Sequence, residues 1–180
     1  MIDSVAVWSL PVRLAHWALA GCVIACLVLH EGGRWHEALG YAALALALAR
    51  TAGGFVARTP RLRFRAFVRG LHETLGYARA LLGHAEARHL GHNPLGGWMI
   101  LALLACAALA GASGALYTTD RFWGDPVVYA LHQVAGWSLA LLAPLHVAGV
   151  AFTSRRQREN LVAAMLSGRK RAPAPGDVAD

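Results

Sequence analysis

The chain has 180 residues, is 57% hydrophobic and carries a formal net charge of +7. Only 15% of it is charged, against about 25% in soluble domains, and the mean hydropathy is +0.44 with a pI near 10.2. These values exclude an ordinary soluble domain and predict an integral membrane protein; the basic pI raises nucleic acid as a partner, which the positions of the charges argue against.

Four apolar spans follow in order. The first runs from about Pro11 to His30, with Pro11 suited to a helix start. Its uncharged run begins after Arg13 and lacks an A-x-A cleavage site, so it reads as a retained helix, not a signal peptide. The second runs from about His36 to Ala57, with Arg50 near its end. The connection 58–94 carries Phe67, Val68, Leu71, Leu75, Ala78 and Leu82 at helical spacing, with Arg69, His72, Glu73 and Arg79 on the other face. That pattern predicts an amphipathic helix lying in the cytoplasmic membrane interface or packed under the bundle. The third span is Leu95 to Tyr117 and the fourth Pro126 to Phe152, both uncharged. Each span is close to the ~20 residues that a ~30 Å hydrocarbon core requires. The predicted fold is all-α: a four-helix transmembrane bundle over 1–168, followed by a disordered cytoplasmic tail, 169–180. Cys22, Cys26 and Cys106 all lie within apolar runs and read as small packing residues. A C-x-x-C-H motif for covalent haem attachment is not present.

Charge bias sets the expected orientation. The long connection holds Arg58, Arg61, Arg63, Arg65, Arg69, Arg79 and Arg88, against Glu73 and Glu86. The tail holds Arg155, Arg156, Arg158, Arg169, Lys170 and Arg171, whereas the two short connections hold only Arg34 and Arg121 beside Glu31, Asp120 and Asp125. By the positive-inside rule, both termini and the long connection are expected on the cytoplasmic side of a bacterial inner membrane. The arginines thus explain topology, and no nucleic-acid role is needed.

The most informative pair is His132 and His146, in the last span. Their 14-residue separation (146 − 132) returns them to within roughly 40° on a helix while moving about 21 Å along it. Titratable groups inside a bilayer are costly and mark functional sites. With the orientation above, His16 and His146 lie at the inner depth and His36 and His132 at the outer depth. Two imidazoles from different helices fill both axial positions of a haem iron, an arrangement suited to electron transfer; a structural zinc would want four ligands at one depth. Small residues one turn from each ligand, Gly40, Gly136, Ala20 and Gly149, leave room for a flat ring, although close helix packing uses the same residues. His30 is the rival of His36, and His92 of His16. His72, His84 and His89 are read as solvent or headgroup contacts. Arg13 and Arg50 sit at helix ends, where they pair with haem propionates or snorkel to the interface. Pro144 removes one backbone bond two residues before His146 and should bend the fourth helix.

At these residues the chain resembles the bacterial di-haem membrane cytochrome b family, which contains cytochrome b561 and the b-type subunit of nickel-iron hydrogenases. The resemblance covers roughly residues 5–166. It rests on V-W-S-L-P-V-R-L-A-H-W around His16, W-H-E-A-L-G-Y around His36, G-H-N-P-L-G-G at 91–97, and L-H-Q-V-A-G-W-S-L-A-L-L-A-P-L-H-V-A-G-V across His132 and His146. Gln133 departs from the acid that members often carry after the first histidine of helix four. The resemblance implies four helices and two b haems held by His16, His36, His132 and His146. It also implies electron exchange between the quinone pool and a periplasmic c-type cytochrome, hydrogenase or other dehydrogenase. The H-N-P-L-G-G turn either shapes a quinone pocket near His92 or starts helix three. Two rival functions are compatible with the same residues: a quinol oxidase with a small acceptor such as superoxide, and a non-haem transporter with buried histidines.

Overall fold

A computed structural model describes residues 4–57 and 62–178. Arg58 and Arg61, counted above for orientation, and the last two residues of the predicted tail lie outside the described residues. In chain order the elements are β1 (Ser4–Ala6), α1 (Leu10–Val28), α2 (Arg34–Val56), α3 (Phe64–Phe67), α4 (Leu71–Leu82), α5 (Pro94–Tyr117), α6 (Pro126–Arg156), α7 (Leu161–Ser167) and β2 (Arg169–Arg171). The protein is an all-α bundle in which α1, α2, α5 and α6 are long and apolar enough to cross a membrane. Outward side chains such as Ile24, Val28, Phe55, Trp137 and Leu141 are exposed, an apolar exterior that lipid stabilises and water does not.

The helix ends follow from local chemistry. The Asp125 carboxylate accepts the N–H groups of Val127 and Val128 at 2.8 and 3.0 Å, so Pro126 opens α6 behind an N-cap. The Asn93 side-chain oxygen accepts from Gly96 N–H at 2.7 Å, and Pro94 opens α5. The H-N-P-L-G-G turn is therefore a helix start. α6 continues through Pro144 to Arg156, past the predicted end at Phe152, and finishes on Arg155 and Arg156, cations that suit a helix C-terminus.

The chain divides into two compact units. One comprises Leu14–Ala52 and Leu101–Leu145. Small residues make up most of its interior: Ala43, Ala47, Ala107, Ser113 and Ala135 are buried beside Leu104, Val128 and Leu139, with Ala47 at 0% and Ala135 at 1% exposure. A Cβ added to Gly111 would come within 2.7 Å of the Leu44 Cβ, so α5 passes α2 at a distance that only glycine permits. Between membrane helices such close van der Waals approach replaces the hydrophobic drive that lipid removes.

The other unit comprises Met1–Arg13, Gly53–Ile100 and His146–Asp180. The predicted amphipathic helix starts later than its periodicity suggests. Val68 and Gly70 are extended, so Phe67 belongs to the separate turn α3, where it is 1% exposed. Its carbonyl lies where a Cβ on Gly97 would intrude to 2.6 Å. In α4 the apolar stripe Leu71, Leu75 and Leu82 is exposed, as a helix at a lipid interface requires. Thr74 faces inward and its hydroxyl accepts from Trp98 Nε1 at 3.2 Å.

The expected disordered tail is a correction. β2 pairs antiparallel with β1, Lys170 opposite Val5, and Val178 N–H donates to the Arg88 carbonyl at 2.8 Å while its own carbonyl accepts from Leu90 at 3.0 Å. Lys170 is 5% exposed and donates to the His89 and Gly91 carbonyls. Arg88 is buried and donates to Glu159 at 2.9 Å, to the Arg171 carbonyl at 2.9 Å and to Asp177. Alanine, proline and glycine in the tail signal disorder because they bring little apolar area. Long-range ion pairs hold it instead, and composition does not register them. Gly168, at φ 80°, ends α7 in the left-handed region, and a Cβ there would come 2.5 Å from the Trp8 carbonyl.

This network sets both a stability and a pH dependence. Arg88→Ala removes the buried cation shared by the Glu159 and Asp177 carboxylates and should cost on the order of 3 kcal/mol, read as a lower unfolding midpoint in detergent with faster proteolysis of the tail. The hydrogen bond from Arg156 holds the Glu86 carboxyl below its ordinary 4.5. For Asp177, burial pushes upward but the Ala174 N–H and Arg88 pull it below its ordinary 3.8. Both folded values are depressed, so their stabilisation is complete above the unfolded values and fades as pH falls through the folded ones. Acid titration of tail proteolysis should show release below about pH 4 and none between pH 5 and 8.

Candidate functional site

The predicted outer pair comes together within one unit. His36 stands in the first turn of α2 and His132 two turns into α6, and their ring centroids are 5.9 Å apart at an interplanar angle of 68°. Two imidazoles sharing one metal through bonds of about 2 Å have ring centres roughly 6 Å apart, counting about 1 Å from nitrogen to centroid on each side. The His132 Nδ1 lies 2.9 Å from the Ala110 carbonyl. A carbonyl can only accept, so Nδ1 carries the proton and Nε2 the lone pair, the tautomer a metal ligand needs. The His36 Nδ1 is buried without a hydrogen-bond partner, an orphaned polar atom that a bound metal would explain. Among the described residues no group of three or more His, Cys, Asp and Glu side chains could hold a metal ion. A two-histidine site therefore fits an ion that brings its own equatorial ligands, as haem iron does.

The surroundings agree with a flat cofactor. A Cβ built on Gly40 or Gly136 meets nothing within 4 Å, so the room predicted one turn from His36 and His132 is open. His30, the rival of His36, is exposed, with its Nδ1 3.4 Å from the Val28 carbonyl. The Cys26 thiol donates to the His36 carbonyl at 3.6 Å, tying α1 to the first turn of α2.

The inner candidates fall in different units: His16 with residues 14–52, His146 with residues 146–180. Each is half-buried on its helix, α1 and α6, and a Cβ on Gly149 meets nothing within 4 Å. His92, the rival of His16, stacks between Trp8 and Phe67 at 4.6 and 4.7 Å. His84 contacts Arg156, and His89 meets Tyr77 edge-on at 5.5 Å; His72 is exposed. Arg13 donates to the Leu166 carbonyl at the end of α7, a tie between chain ends that sequence reasoning missed. Arg50 is half-buried on α2.

Sequence reasoning also missed the contribution of α5. Ala110, Ser113 and Gly114 all approach the His132 ring. The only signal was a run of small residues, Ala110 to Ala115, which reads equally as helix packing.

Four apolar helices with a facing pair of imidazoles between two of them fit the class of membrane cytochromes. The sequence model of prokaryotic cytochrome b561 matches residues 7–168. The chain belongs to the prokaryotic cytochrome b561 family. It is a bacterial membrane protein, a b-type cytochrome of electron transfer, and the reading as a non-haem transporter is set aside. No curated protein and no solved structure matches the chain.

If His36 and His132 hold haem, filling the open space beside them should exclude it without unfolding the helices. Gly40→Leu and Gly136→Leu are each expected to lower haem content by at least half in a pyridine haemochrome assay, with helix content by circular dichroism unchanged.

Proposed function

We propose that the protein carries electrons across the inner membrane through two bis-histidine b haems, an outer one held by His36 and His132 and an inner one held by His16 and His146. The observation that carries this reading is the 5.9 Å approach of His36 and His132 from separate helices. Helix register and charge bias support the inner pair. The positive-inside rule supports cytoplasmic termini, which sets His36 and His132 towards the periplasm. When bound, each haem supplies one-electron Fe(III)/Fe(II) chemistry with no open coordination position.

The chain's own residues bind, orient and insulate. His132 presents Nε2 because Ala110 takes its other nitrogen. Gly40 and Gly136 keep the ring space clear, and the apolar helices exclude water. Arg50, half-buried near one end of α2, is the proposed partner of a haem propionate. The donor and acceptor proposed are the quinone pool and a periplasmic c-type cytochrome, hydrogenase or other dehydrogenase.

Purified protein is expected to yield two haem b per chain by pyridine haemochrome. His36→Ala or His132→Ala should each remove chiefly one haem, and His16→Ala or His146→Ala chiefly the other. Equal loss of both haems from a folded variant would break the pairing. Stopped-flow mixing of the reduced protein with a c-type cytochrome should reoxidise it faster than mixing with superoxide; the reverse order would favour a quinol oxidase.

A further inference from the structure

We infer that one face of α5, made by Ala110, Ser113 and Gly114, is the seat that positions His132 and sets the reduction potential of the outer haem; this rests on His132 being a ligand. Three independent contacts meet on one ring. The Ala110 carbonyl accepts the Nδ1–H at 2.9 Å. The Ser113 hydroxyl lies 3.5 Å from the same nitrogen. Its single proton is taken by the Leu109 carbonyl at 2.6 Å, with Ala110 at 3.1 Å, which leaves the Ser113 lone pairs as a second, weaker acceptor for His132. Gly114 supplies the room. A Cβ at that position would lie 3.1 Å from the ring Cε1 and 3.2 Å from Nδ1, and it meets nothing else within 4 Å.

The ordinary habits of membrane helices cover only part of this arrangement. Serine in a membrane helix commonly bonds back to a carbonyl one turn earlier, and glycine commonly serves helix packing. Back-bonding does not account for the hydroxyl of a serine only 3% exposed lying beside an imidazole nitrogen. Helix packing does not account for a glycine whose missing Cβ would touch only that imidazole. Gly111, one turn away, does serve packing, since its neighbour is Leu44.

The consequence is electronic as well as steric. A hydrogen bond from the far nitrogen of a ligating imidazole raises its basicity, which favours the oxidised metal and lowers the potential. Weakening that bond therefore raises the potential. Ser113 and Gly114 are positioning residues that act through His132.

The test is a potentiometric titration of the haem-loaded protein with low-spin EPR of both haems. Gly114→Ala moves the ring by a few tenths of an ångström and is expected to keep both haems, raise the outer potential and shift the outer EPR signal. Ser113→Ala should shift both in the same direction by less, and Ser113→Thr, which restores the hydroxyl, should return them towards wild type. The inner haem should be unchanged throughout. An unmoved outer potential in Ser113→Ala and Gly114→Ala would overturn the inference, as would equal shifts of both haems. Loss of the outer haem from Ser113→Ala would also count against it, because tuning leaves both ligands in place. Should Gly114→Ala not assemble, Ser113→Ala decides the matter, since it removes one oxygen and adds no atom. Retention of both haems by His132→Ala would instead defeat the ligand assignment and leave the seat without an object.

Discussion

The close approach of helix backbones through alanine, glycine and serine is the constraint on which the rest depends. Lipid offers no hydrophobic gain for bringing helices together, so contact has to come from van der Waals fit and a few polar bonds. Ala47 at 0% exposure, Ala135 at 1% and Gly111 against Leu44 show how near the backbones come. That proximity lets a carbonyl of α5 reach an imidazole of α6 at 2.9 Å and brings His36 of α2 to 5.9 Å from the same imidazole. Bulkier residues at these positions would separate the helices by more than a hydrogen bond can span.

The unit formed by the chain ends and the long connection works by different physics. Its fixed points are paired charges, with Arg88 the buried one. Arg88 meets Glu159 and Asp177, and Arg156 meets Glu86. Such pairs add little net stability, but leaving one partner alone is costly, so they specify an arrangement more than they strengthen it. The β1–β2 pairing and the Arg13 bond to Leu166 join the two ends of the chain within this unit.

Legibility was uneven, for physical reasons. The four long helices could be read to within a few residues because a bilayer demands about 20 apolar residues in a row, and Asp125–Pro126 and Asn93–Pro94 mark their own helix starts. His36 and His132 could be read as a pair because burying an imidazole in an apolar span is costly and is tolerated where the ring has a task. The amphipathic helix was correct in kind but misplaced at its start, since periodicity counts Phe67 in whether or not the backbone breaks after it. The tail reads as loose because its glycine, proline and alanine carry little apolar area, while the partners of Lys170, Arg171 and Asp177 lie 79 to 89 residues away.

What the sequence determined by itself was the membrane class, the four spans, the family and the histidines worth testing, all of which follow from hydropathy, charge and titratable residues counted along one chain. The tertiary structure alone decided which surfaces meet. It placed His36 against His132 and left His30 exposed, set Ala110, Ser113 and Gly114 against the His132 ring, and turned an apparently loose tail into a strand and an ion-paired clasp. Those outcomes depend on contacts between residues far apart in the chain, and the small side chains that permit them carry almost no individual signal in a sequence.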